Sequence, residues 1–208
     1  ALTSGITGSL NNNAPAVIDA SSLNTLSGSS EDLNLAFSSS GITNLNTACI
    51  LSDTTLSAST LNTLDSKTGG VVNASSVTIL TGNISDINTA YSSAGISGLG
   101  NEAITLSDTT LAVSVLNTLD GNTSGTINAS SINTLTGDAA DINTAYSSSG
   151  VSGLGNEAVT LSDTSLTASV LNTLDGNTSG NINASSINTL TGSASEIESL
   201  YDSSGITG

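Results

Sequence analysis

Apolar residues recur along this chain in two spacings. In the first they fall three or four apart, as in Val115, Leu116 and Leu119, or Ile132 and Leu135. That is one face of a short helix. The pattern predicts helices over ASVLNTLDG (168–176), ASSINTLTG (184–192) and AADINTAY (139–146). Gly121, Gly137, Gly176 and Gly192 follow the last apolar residue of such segments, where the position after a helix favours glycine. A Ser or Asp just upstream supplies the N-cap, and GSASEIESLYDSSG (192–205) is the most helical stretch of all. In the second spacing apolar and polar residues alternate or run briefly together, as in AVTLS (158–162), AITLS (103–107) and GTINA (125–129). These read as short strands that would stack in parallel from unit to unit.

The two patterns repeat. Tyr91, Tyr146 and Tyr201 recur at a step of 55 residues, as do Gly95, Gly150 and Gly205, and Asp65, Asp120 and Asp175. The NASS runs opening at Asn73, Asn128 and Asn183 keep the same step. Fixed-period self-similarity is the signature of a stacked repeat architecture. The whole chain, 1–208, therefore reads as one array, with a shortened unit at about 5–40 and full units at about 41–94, 95–149 and 150–204. The short unit lacks the counterpart of SDTTLAVSVLNTLDGNTSG (107–125), about 19 residues. A loss of that size with the register resumed suggests one coil, the remaining 36 residues making about two more. The fold class expected is a repeat solenoid, an α/β solenoid of mixed strand plus short helix coils in 55-residue units. An all-β solenoid is the alternative, because Asn, Thr and Ser are weak helix formers that also suit strand corners.

Composition sharpens this reading. Phe37, Tyr91, Tyr146 and Tyr201 are the only aromatic residues, so the core must be thin and built from Leu, Ile, Val and Ala. Lys67 is the only basic residue against 17 acidic ones, a net charge of -16. Phosphate binding depends on Lys and Arg, so nucleic acid and anionic membranes are not expected partners. No apolar run reaches the roughly 18 residues of a membrane span. Cys49 stands alone, which leaves no intrachain disulfide and reads as a small buried hydrophobe. The chain has no initiator Met, and SGITG occurs at both ends (Ser4 to Gly8, Ser204 to Gly208). It therefore reads as a piece of something longer, with uncapped ends expected to associate end to end.

Candidate chemistry is sparse. There is no histidine, no Ser has an evident activating partner, and every carboxylate pair is copied along the array. Enzymatic activity is not expected. Calcium is the stronger possibility, because Asp108 and Asp163, Asp120 and Asp175, and Glu102 and Glu157 would form ladders of oxygen ligands. Capping explains the same residues: Asp108 and Asp163 at helix starts, Asp120 and Asp175 in turns before glycine. Asn73, Asn128 and Asn183 open N-A-S sequons but suit turn hydrogen bonding better. The tyrosines are expected to pack over helix ends as spacers. Thr is scattered in NTL and SDT elements, which does not favour the flat Thr ladder of an ice-binding face.

The unit INASSINTLTGDAADINTAYSSSGVSGLGNEAVTLSDTSL (127–166) resembles the long repeat tracts of very large surface or extracellular proteins of marine cyanobacteria. The element LNTLDG (116–121 and 171–176) is similar to the LNxLDG repeats of bacteriophage tail fibres. The resemblance implies an exposed structural role, as a fibre, surface coat or adhesin segment, outside the cell or at its surface. It brings no catalytic residues. A virion appendage and a calcium-dependent binding module are the alternatives, and a surface or carbohydrate ligand stays open.

Overall fold

The computed structural model describes residues 17–208; the opening SGITG and the start of the shortened unit lie outside them. The chain divides into two compact units, one ending at Ile104 and the other beginning at Thr105. In the first, the order is β1 (Ile18–Asp19), β2 (Thr25–Gly28), α1 (Ser30–Ser38), β3 (Ile42–Thr43), β4 (Ala48–Leu51), β5 (Thr55–Ser57) and α2 (Ala58–Lys67). Then come β6 (Val72–Asn73), β7 (Ile79–Gly82), α3 (Ile84–Ser92) and β8 (Ile96–Ser97), with β9 (Ala103–Leu106) spanning the boundary. The second unit continues with β10 (Thr110–Ala112), α4 (Val113–Asn122), β11 (Ile127–Asn128), β12 (Thr134–Gly137) and α5 (Ala139–Ser147). It ends with β13 (Val151–Ser152), β14 (Ala158–Leu161), β15 (Ser165–Thr167), α6 (Ala168–Asn177), β16 (Ile182–Asn183), β17 (Thr189–Thr191), α7 (Ala194–Asp202) and β18 (Ile206–Thr207). This is an α/β fold of repeated strand–helix units, and helices take the places an all-β fold would give to corners.

Every described strand pairing is parallel, and parallel pairs need a crossover, here a short helix. In the second unit β12 pairs with β14, β14 with β16 and β16 with β18, which brings Leu135, Val159, Ile182 and Ile206 into one row. Leu135, Val159 and Ile182 are fully buried. In the first unit the same device lines up Leu26, Cys49, Val72 and Ile96. Each such side chain taken from water contributes about 1.5–3 kcal/mol, which lets a core with so few aromatics form. The helices complete it from one face: Val113, Leu116 and Leu119 of α4 are buried, and Ala168, Leu171 and Leu174 of α6 repeat them.

Turns come in two lengths. A short turn has two strands and a helix (β11, β12, α5), and a long one has three (β13, β14, β15, α6). The extra strand staggers the pairing, since β13 pairs with β11 while β15 pairs with β17. Helices are tied across turns by an asparagine at the fifth helical position. Asn117 Nδ2 donates to the Asp141 carbonyl at 3.0 Å and Asn172 Nδ2 to the Glu196 carbonyl at 3.0 Å. In the first unit Asn62 does the same to Asp86 at 2.9 Å.

Three expectations are corrected here. The 55-residue step holds two strand–helix turns, not three coils: α4 and α6 start at 113 and 168, α5 and α7 at 139 and 194. ASSINTLTG is not helical, because its NASS opening is an Asx turn. Asn183 Oδ1 accepts from Ser185 N at 3.1 Å, as Asn128 does from Ser130 at 3.0 Å, and this launches β17 or β12 instead. The glycines do not terminate helices. Gly121 and Gly176 lie inside α4 and α6, while Gly137, at φ 142°, turns the chain from β12 into α5. A side chain at Gly137 would also meet Val113 Cγ1. AVTLS, AITLS and GTINA do carry strands, and AADINTAY, ASVLNTLDG and GSASEIESLYDSSG carry helices. The last opens on a capping box between Ser193 and Glu196.

Candidate functional site

Glu157 immediately precedes β14 and has no solvent exposure, and the charged residues of the chain offer it no nearby cation in any described contact. A buried carboxylate must then be satisfied by neutral donors. The Gly155 N–H supplies a forked bond at 3.1 and 2.8 Å to its two oxygens. The hydroxyl of Tyr146, at the end of α5, donates at 2.9 Å. Thr178, just after α6, donates its hydroxyl to the Glu157 carbonyl at 2.9 Å and accepts from Gly180 N at 3.0 Å. Three successive chain segments are thus fastened at one residue. In the first unit Glu102 is equally buried. It accepts from Tyr91 Oη at 2.7 Å and from Gly100 N at 3.0 and 2.9 Å.

The other acidic candidates have structural partners as well. Asp120 accepts from Ser148 Oγ at 2.7 Å and Asp175 from Ser203 Oγ at 2.8 Å, and each serine in turn receives the N–H of the glycine two residues on. These carboxylates lie in the last turns of α4 and α6 and reach the serine that ends the next helix. Asp163 accepts from Ala139 N at 2.8 Å, so it caps α5 of the preceding turn and not the helix that follows it. Asp53 does the same for Ser30 of α1 at 2.7 Å. Asp108 holds the corresponding place between β9 and β10. Among the described residues no group of three or more His, Cys, Asp or Glu is placed to hold a metal ion.

A cavity of about 350 Å³ between the starts of α4 and α5 gathers Asp138, Asp141, Gly137, Val113 and Ser162. Ser162 Oγ donates to Asp138. Threonines do align more than their scatter in the sequence suggested: Thr110 stands beside Thr134 and Thr136 beside Thr160. The rows are broken by Ala112, Ala158 and Asn183.

Of the tyrosines, Tyr146 is half-buried, and its phenol is held well above the ordinary tyrosine range. Burial is the main cause; the Thr178 hydrogen bond opposes it, and the hydrogen bond and charge of Glu157 add to it. A raised folded value means the neutral phenol is the stabilising form. That contribution is complete below the unfolded tyrosine's value of about 10 and is lost as pH climbs from there toward the folded value. Denaturant titrations at pH 9 and 11.5 are expected to show the native chain losing more stability than Tyr146→Phe. Equal losses would contradict the assignment. Tyr201 differs from the expected spacer role, being 84% exposed.

The Tyr–Glu fastening was not foreseen as such, yet the sequence held a signal for it. Aligning the units places Phe37 where Tyr91 and Tyr146 stand, and Thr47 where Glu102 and Glu157 stand, with one residue fewer between them. The missing residue is the glycine whose N–H serves the carboxylate. No protein-family model matches this chain, and neither does any curated protein or solved structure.

Proposed function

We propose that this chain is a segment of a non-enzymatic structural array: a solenoid of 55-residue units whose role is mechanical or spatial, in an extracellular fibre, surface coat or adhesin. What carries the reading is the use made of its polar groups. Carboxylates, asparagines and threonines are turned inward or sideways to bind one turn to the next, as with Glu157, Asp163 and Asn172. In a stacked array each turn needs only its neighbours, so length is set by the number of turns. Association with further copies or neighbouring repeats follows from the same stacking. A net charge of -16 keeps such an array clear of nucleic acid and acidic membrane.

Antibody-gold electron microscopy of the source organism, and of any phage it produces, tests this. Gold along cell-surface filaments or a surface coat is the expected result. Gold on virion tails would move the assignment to a phage appendage, and gold confined to the cytoplasm would overturn it. A thermal melt separates the structural reading from a calcium-dependent binding module. Millimolar calcium and magnesium are expected to shift the melting temperature equally, by screening alone. A rise specific to calcium would contradict the structural reading and favour the module.

A further inference from the structure

The joint between the first two described turns lacks the fastening found at its counterparts, 91–102 and 146–157. At that joint Phe37, near the end of α1, has no hydroxyl to give, and Thr47 replaces the buried glutamate. The Thr47 hydroxyl is buried without a hydrogen-bond partner, which sets this joint apart; the orphaned Asn34 Oδ1 on α1 does not, since Asn62 and Asn88 share that feature on α2 and α3. In a site closed to water each such atom forfeits its solvation without replacement. The loop is also one residue shorter: Thr25 aligns with Ala48, a step of 23, where Thr134 aligns with Ala158, a step of 24.

A side chain repairs the gap. Where the Gly155 carbonyl accepts from Ser179 N at 2.9 Å, Asn46 Oδ1 accepts from Gly69 N at 2.6 Å. Asn46 is exposed to water, as is Ser179 in the counterpart bond, so both bonds compete with solvent. The Thr68 hydroxyl still reaches the Thr47 carbonyl at 2.6 Å, so the Thr–Gly clasp is kept and the Tyr–Glu–Gly fastening alone is missing.

We infer that the joint formed by α1, the 42–48 loop and β4 is a built-in yielding point, opening before the glutamate-fastened joint at β14. Regions that open first are those held by fewer satisfied buried groups. Such opening is local and holds whatever the array is attached to.

Cys49 lies in β4 with no solvent exposure and reports the opening directly. Val159 is its counterpart in β14. Labelling of native Cys49 by an aromatic disulfide reagent at pH 8 is expected to run at least tenfold faster than labelling of the thiol introduced in β14 by the double variant Cys49→Val, Val159→Cys. Fraying near one end of the described chain could mimic that difference, so a second variant decides. Phe37→Tyr and Thr47→Glu, with a glycine inserted after Leu45, should slow Cys49 labelling about tenfold. Equal labelling of the two positions, or an unchanged Cys49 rate in the repaired variant, would overturn the inference. Backbone hydrogen exchange in β4 and β14 gives the same comparison if the introduced cysteine perturbs packing.

Discussion

Replacing Glu157 by alanine is expected to lower the unfolding free energy by about 3 kcal/mol, the cost of leaving buried donors without an acceptor. Two groups are orphaned, the Gly155 N–H and the Tyr146 hydroxyl, and a void is added where the side chain had no exposure. An opposing effect must be weighed. A buried carboxylate carries a desolvation penalty, and replacing a buried polar set as a whole can be neutral. The difference lies in what remains: alanine removes the acceptor and keeps the donors. The 37–47 copy shows the concerted alternative, with hydroxyl, carboxylate and glycine all absent. Converting the 146–157 copy in the same way, by Tyr146→Phe and Glu157→Thr with Gly155 deleted, should therefore cost less than Glu157→Ala alone. Urea titration at pH 7 measures both. A loss under about 1 kcal/mol for Glu157→Ala would mean that desolvation cancels the hydrogen bonds.

Gly180→Ala is expected to be comparably damaging, at about 3 kcal/mol for forced overpacking. A methyl group there would run into the Glu157 carbonyl and the Ala158 nitrogen. The Ala158 nitrogen donates to the Asn133 carbonyl where β12 and β14 pair, and the Glu157 carbonyl carbon is bonded to that nitrogen, so neither yields without disturbing that pairing. The close approach arises because Thr178 clasps the Glu157 carbonyl while holding the Gly180 N–H. Gly70 stands in the same relation to Thr47 and Ala48, so the clasp is common to both units. Ser179→Ala, one residue away and exposed, should change stability by less than about 0.5 kcal/mol. Similar stabilities for the two variants would show that the loop relaxes away from the strand.

Much of this was legible in the sequence. The repeated strand–helix order, the helices around Leu116 and Ile142 and the strand around Val159 follow from spacing alone. Ile132 and Leu135 misled because a three-residue spacing fits a helix face and also fits a turn residue followed by a strand residue. What decides between them is the Asx turn at Asn128, a side-chain bond that periodicity does not register. The stagger of β13 and β15 was hidden because register depends on where the previous helix releases the chain. Glu102 and Glu157 read as ladders of calcium-ligating oxygens because carboxylates are rarely buried without a cation. Their real role shows only when Tyr, Glu and Gly are followed together from copy to copy.

The most direct test of the proposed stacking is a register-preserving deletion of residues 96–150, which joins Gly95 to Val151 as Gly150 is joined now. If each turn needs only its neighbours, the shortened chain should keep its circular-dichroism signature per residue and unfold in one cooperative urea transition, at a somewhat lower midpoint. A deletion of 111–150, which breaks the step, should not. Loss of cooperative unfolding in both chains alike would contradict the account.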